Sequence, residues 1–409
     1  MQITLYSKFI LILAFSFLYS SQGFADNEFR TKRAALADRI ADKFPEQLTD
    51  PQKINRKSKS QFGYGLSLFR LRLYRFSEFI DPANFGQHSY GKPSTKERNG
   101  VIYTCRGGFI DFSHMRASAD WSVYLIFKMV HDNADFDLPD KDGKLSLHFK
   151  NLDDLSLNDI ASLGQKIAFE RLVWHEISSW YHHPPNFILS EQQSAFSPED
   201  IYSDFLGTQV GKNIALRILN NSEDLSYSEI ASEEIRKAVT DLLPMGTKDK
   251  SKKAYDIVDR HKQRLLPRAK KNKDIWWDSH IVFLDQRYVF KRYLDVGPKL
   301  SPWLVPKAKK IICPADSKSQ VLSVPQNTKA GVSLNNYYEF QIIPDTTLFY
   351  DKRNAKEIHP PLQPFVSKDL EKIISFVKKD MEKSLLPGFD KRNSVDPVPS
   401  FGKVKGAEF

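Results

Sequence analysis

Residues 174–208 read WHEISSWYHHPPNFILSEQQSAFSPEDIYSDFLGT, and the fold turns on how this stretch is divided. Pro184-Pro185 cannot continue a helix, because proline lacks the amide hydrogen and its ring collides with the preceding turn. They stop a helix that begins near Asn158 and ends near His183. A loop over 186–196 follows. Ser197-Pro198 then starts a second helix toward Leu219, since proline suits the first helical position. His175-Glu176 rides on the first helix, and Glu199, Asp200 and Asp204 open the second.

Polar residues in these places have two uses. Ser197-x-x-Asp200 reads as a capping box, in which Glu199 and Asp200 complement the helix dipole. The same carboxylates are also metal ligands by type. Capping and ligation by different carboxylates are compatible. Trp174, Trp180 and Tyr181 read as packing, and His182-His183 as a helix C-terminus, where positive charge is favoured.

A hydrolytic zinc site needs a few neutral imidazole or carboxylate ligands, an open coordination position and an adjacent base. His-Glu-x-x-His on a helix supplies two imidazoles one turn apart, with the Glu aimed between them. His175-Glu176 is the first half of that pattern, but Ser179 stands where the second His belongs. His182 lies about 10 Å further along the axis, too far to share an ion with His175.

Downstream, Asp200-Ile-Tyr-Ser203-Asp204-Phe-Leu-Gly207 resembles the third-ligand helix of thermolysin-like gluzincin peptidases, with its Glu-x-x-Ser-Asp-x-x-Gly pattern. The resemblance implies a zincin-like scaffold and bound zinc. It makes His175 and Asp200 ligands, with Glu199 as the alternative to Asp200. Glu176 becomes the general base, and Asp204 the carboxylate that orients His175. It covers residues 174–208 alone and departs at Ser179. His114, in FIDFSHMR, is the preferred candidate to fill that gap. It follows a Gly-Gly turn and is flanked by Asp111 and Arg116. The same His also reads as a buried histidine satisfied by Asp111. Arg106 and Arg116 are candidates for an anionic group of the substrate, or for pairing with an acid.

A wider resemblance rests on TCRGGFIDFSHMR, ADW, WHEISSWY and SAFSPEDIYSDFLG. These strings are similar to a domain-of-unknown-function family of exported bacterial proteins, over residues 60–310. That resemblance implies export and one shared architecture, and no particular chemistry.

Working outward, 409 residues with 41% hydrophobic and 27% charged content suit a large globular core and exclude a disordered chain. Lys8 precedes an apolar run, Phe9 to Tyr19, too short to span a bilayer comfortably. Gly23-Phe24-Ala25 offers small residues for signal-peptide cleavage after Ala25. The expected product is exported, periplasmic or secreted, without a transmembrane segment. In such a compartment Cys105 and Cys313 are expected to pair, the alternative being two buried thiols.

Net charge is +10, which favours anionic partners. The basic runs at 248–253, 268–273 and 307–310 read as solvated loops without interleaved aromatics, which argues against nucleic acid. Gly-x-Ser-x-Gly, phosphate-loop and dinucleotide motifs are absent from the sequence.

The expected fold class is α+β. Residues 1–25 form the signal peptide, and 26–245 a mainly helical zincin-like region with an amphipathic helix at 33–44. Residues 246–273 form a basic linker, 274–384 a β-rich region with one helix over 368–384, and 385–409 a loose tail. The alternating Leu/Phe and Arg of 62–80 predict a strand. VIYT before the Gly-Gly turn predicts another, followed by a helix over 113–130. The acidic segment 133–144 is expected as a loop before the strand LSLHF, and lacks the spacing of a calcium-binding loop. A further helix fits 228–243.

Two functions fit. One is an exported zinc-dependent hydrolase acting on an amide or other acyl bond in an envelope polymer or protein. The other is a non-catalytic envelope protein that binds an anionic polymer or a partner protein on a zincin-like scaffold.

Overall fold

The computed structural model describes residues 32–49, 78–91, 93–140, 143–181, 195–197, 199–220, 225–257, 297–345 and 363–383. The expected signal peptide, most of the 62–80 strand, the 268–273 basic run and the 385–409 tail lie outside them.

Helix and sheet are both present, so the α+β class holds. Helix α1 (32–43) is followed by the hairpin β1 (Val101–Thr104) and β2 (Gly108–Asp111), then α2 (Phe112–His131). Strands β3 (Phe136–Asp140) and β4 (Gly143–Phe149) lead to α3 (Leu157–Tyr181), α4 (Asp200–Asn220) and α5 (Tyr227–Asp241). Then come α6 (248–257), β5 (Lys299–Leu300), α7 (Pro306–Ile312), β6 (Leu322–Ser323), β7 (Tyr338–Pro344), β8 (Phe365–Val366) and α8 (Leu370–Lys383).

Helix α2 is the centre. Buried apolar residues lie all round it, with Met115, Ala119, Val123 and Phe127 on one side and Trp121, Tyr124 and Leu125 on the other. Such a helix must be covered on every side. Helices α3 and α4 cover much of it. The α2–α4 seam is closest where α4 has Gly207 and Gly211. A Cβ at Gly207 would lie 2.1 Å from the carbonyl oxygen of Met115, and one at Gly211 would lie 2.2 Å from that of Ala119. Opposite them α2 offers Ser118 and Ser122, so both surfaces of the seam are small. Arg33 anchors α1 at the other end of α2 by donating to the carbonyls of Met129 and Val130, two of the acceptors a helix C-terminus leaves over.

The four-stranded antiparallel sheet runs β3-β4-β7-β8. Tyr338, Phe340 and Ile342 alternate inward on β7, with Phe340 opposite Leu147 and Ile342 opposite Leu145. The long strand of the expected β-rich region is therefore built into one sheet with the central strands. Strand β3 was expected to be loop. The acids here are used: Asp135, just before the strand, accepts from the Phe149 amide, and Asp137 within it from the Ser146 hydroxyl. Pro139, with no N–H to give, sits on the edge strand in register with Lys144.

A second, smaller core gathers Val101, Tyr103, Phe109, Met245, Ala254, Trp303 and Ala308 beside Cys105. Gly108 turns the hairpin there with φ +70°, and a Cβ would meet the carbonyl oxygen of Trp303 at 2.0 Å. Cys105 and Cys313 form a disulfide at its rim, with Cα atoms 5.5 Å apart. Two of the basic runs are helical rather than looped. Residues 248–253 lie in α6, where Ser251 and Ala254 face inward and the lysines outward, and 307–310 lie in α7. No helix among the described residues is long and apolar enough to cross a membrane.

Candidate metal centre

The tight α2–α4 seam brings one imidazole onto the acidic end of α4. His114 stands in the first turn of α2. Its Nδ1 is 3.1 Å from Asp204 Oδ1, and its Nε2 is 3.6 Å from Asp200 Oδ1. One ligand atom each from Asp111, His114 and Asp200 lie within 4.8 Å of one another, and so do atoms from His114, Glu176 and Asp204. Four elements thus converge: the end of β2, the start of α2, the last turns of α3 and the start of α4.

Local chemistry holds each carboxylate in place. Asp111 caps α2 through Oδ1, which accepts from the amide and hydroxyl of Ser113. Its own amide donates to Ser203 Oγ on α4, at 3.0 Å. Asp204 Oδ1 lies 2.8 Å from Ser118 Oγ. Glu176 Oε2 accepts from the Phe196 amide at 2.5 Å. Asp200, Asp204 and Glu176 are buried, whereas the His114 side chain is 20% exposed. Access to the cluster is therefore past the imidazole.

The electrostatics follow from burying acids beside one ring. Burial works against the His114 cation, but Asp200, Asp204 and Asp111 outweigh it and hold its pKa well above the usual range. Burial pushes Asp200 well up, His114 opposes it, and Glu199, Glu176 and Asp111 add to the rise. Burial likewise raises Glu176, against the pull of His175 and His114. Burial thus favours the protonated forms of Asp200 and Glu176, and a bound cation would favour the ionised ones.

The donor set fits such an ion. A hydrogen bond from Nδ1 to a carboxylate leaves Nε2 as the ligand atom, and this second-sphere pairing is usual for metal-binding histidines. Asp111, His114 and Asp200 are then residues that could hold an ion, with Glu176 in the second group around His114.

Several expected residues fall elsewhere. His175 is next to Glu176 in sequence and acts on its charge, but it belongs to neither cluster. The imidazole that Asp204 supports is His114, because Asp204 faces α2 across the seam. Glu199 also stays outside both clusters; its Oε2 accepts from Ser197 Oγ at 2.7 Å, one residue before the helix that starts at Asp200. Ser197 thus engages Glu199 rather than the side chain of Asp200.

Arg116 is fully buried. Its guanidinium donates to Asn99 Oδ1 at 3.2 Å and the Phe85 carbonyl at 2.8 Å, and it lies 3.4 Å from Glu97. It ties Phe85, Glu97 and Asn99 to α2, which fits the expected pairing with an acid. Arg106 donates to the carbonyl of Asp241 at 3.0 Å, closing the C-terminal end of α5.

Asp111 was visible in the sequence only as a neighbour of His114. Its position immediately before a helix, three residues from an imidazole, is the signal that points to it. Ser118 gave no such signal, and Ser203 stood out only as part of the α4 pattern. Their roles depend on which helix crosses which.

A family model described as a protein of unknown function (DUF4056) matches residues 62–306, and the chain belongs to that family. The match contains every residue of the cluster and Cys105, while Cys313 and β7 lie beyond it. No curated protein and no solved structure matches the chain.

Proposed function

We propose that this chain is an exported, zincin-like metal-dependent hydrolase whose ion is held by His114, Asp200 and Asp111. The observation that carries the reading is the convergence of His114 with buried carboxylates from separate elements, within 4.8 Å in each group. Zinc suits a set of one imidazole and carboxylates that leaves a position open. When bound, the ion would polarise an acyl carbonyl and ease ionisation of water.

The chain's own part is proton handling. Glu176, with Oε2 tied to the Phe196 amide, takes the proton from attacking water and returns it to the leaving amine. Its raised pKa brings it closer to working pH, where such transfers are most efficient. Asp204 orients the ring of His114. The net charge of +10 supports an anionic envelope polymer or an acidic protein as substrate.

The test is turnover of amide and ester substrates drawn from envelope polymers by zinc-loaded protein. Glu176→Gln is expected to lower the rate at least about 100-fold while zinc stays bound. Equal rates in both proteins would remove Glu176 from the mechanism. Zinc binding without turnover on any substrate would favour the non-catalytic envelope protein, for which the serine at 179 already speaks.

A further inference from the structure

We infer that Ser203 is a positioning residue that sets the spacing of Asp111 and Asp200, and so the size of ion the site accepts; the inference rests on the metal reading above. Ser203 lies in the first turn of α4, three residues after Asp200, and is fully buried. Its Oγ is 2.7 Å from the Glu199 carbonyl oxygen and 3.0 Å from the Asp111 amide nitrogen. A carbonyl only accepts and an amide only donates, so the roles are forced. The hydroxyl gives its proton to Glu199 and receives the Asp111 N–H on a lone pair.

That hydrogen bond joins the two elements that carry the carboxylates. At one end is the backbone of Asp111, where β2 passes into α2. At the other is the helical turn of Asp200, whose offset from Ser203 the helix fixes. The Asp111 side chain has little freedom of its own, because its Oδ1 already accepts from the amide and hydroxyl of Ser113. The separation of the two carboxylates is therefore set by how closely β2 lies on α4, and Ser203 holds that distance. Asp111, His114 and Asp200 each offer one atom within 4.8 Å of the others. Zinc draws oxygen ligands in to about 2.0–2.2 Å, whereas larger cations take a wider and more flexible cage. Freeing β2 from α4 thus penalises a small ion more than a large one.

Ser122 is the control built into the fold. It is equally buried in the α2–α4 seam, opposite Gly211, and its hydroxyl has no hydrogen-bond partner among the described residues. Ser122→Ala makes the same steric change without touching Asp111. Ser203→Cys complements Ser203→Ala, since it keeps the side chain's shape and replaces the hydroxyl by a weak acceptor.

The experiment measures zinc and cadmium affinities of the purified protein by competition with a chromophoric chelator, cadmium being the larger ion of similar ligand preference. Hydrogen–deuterium exchange of the peptide that carries the Asp111 amide is followed in the same proteins. Zinc affinity is expected to fall about tenfold in Ser203→Ala and Ser203→Cys. Cadmium affinity is expected to fall less, so that the preference for zinc narrows. The Asp111 amide should exchange faster in both Ser203 variants, and Ser122→Ala should match the wild type throughout. Equal losses for the two ions, an unchanged Asp111 amide, or the same losses in Ser122→Ala would overturn the inference. A wild type that binds neither ion defeats the metal reading itself and the ion preference with it, and the Asp111 amide then decides alone whether Ser203 holds β2 to α4.

Discussion

Gly207→Val is expected to lower the unfolding free energy by about 3 kcal/mol or more, the upper end of what overpacking costs. The reason is geometric. A Cβ there would sit 2.1 Å from the Met115 carbonyl oxygen and 2.7 Å from Ser118 Cβ. The first of these is backbone, so no side chain can swing aside, and helix α4 must move away from α2. That movement would also part Asp204 from His114 and Ser118. Urea unfolding followed by circular dichroism reads the effect, with Gly246→Ala as control, since a Cβ at Gly246 meets nothing within 4 Å. Equal midpoints for the wild type and Gly207→Val would show that the seam is not as tight as described.

Removing the disulfide is expected to have the next largest effect. Cys105 and Cys313 are 208 residues apart, and closing a loop of that length removes chain entropy worth about 5 kcal/mol from the unfolded state. Measured effects are often smaller, so a loss of about 3–5 kcal/mol is expected on reduction or in Cys105→Ser/Cys313→Ser. The bridge ties the β1–β2 hairpin, which ends in Asp111, to α7. Its loss should therefore loosen the small core around Met245 and Trp303 first. Denaturant midpoints with and without reductant measure this, and identical midpoints would contradict it.

Much of the helical frame was legible from periodicity and breakers. The helices over 112–131, 157–181 and 227–241 fall within a few residues of their expected limits, because apolar spacing and capping are local properties. So was the pairing of the two cysteines. The hairpin strand β3 was missed because DFDLPD has a loop's composition; it becomes a strand only through the partner it finds in β4. The sequence offered His114 as a partner for His175; that His114 lies on the acids while His175 belongs to neither group was beyond it for the same reason. Spacing within one helix shows that Asp200 and Asp204 share a face. It does not show that the glycines of α4 let α2 approach closely enough for His114 to lie over both. The buried network in which Asp120 Oδ1 lies 2.9 Å from His88 Nε2 and accepts from the Tyr227 hydroxyl at 2.7 Å had no local signal at all.

In the proposed function a divalent ion sits on His114 rather than on His175. Elemental analysis of the protein, prepared without a histidine tag or chelator and reconstituted with zinc, decides this beside His114→Ala and His175→Ala. The expected result is near-stoichiometric zinc in the wild type and in His175→Ala, and its loss in His114→Ala. Zinc retained in His114→Ala, or absent from the wild type, would contradict the account.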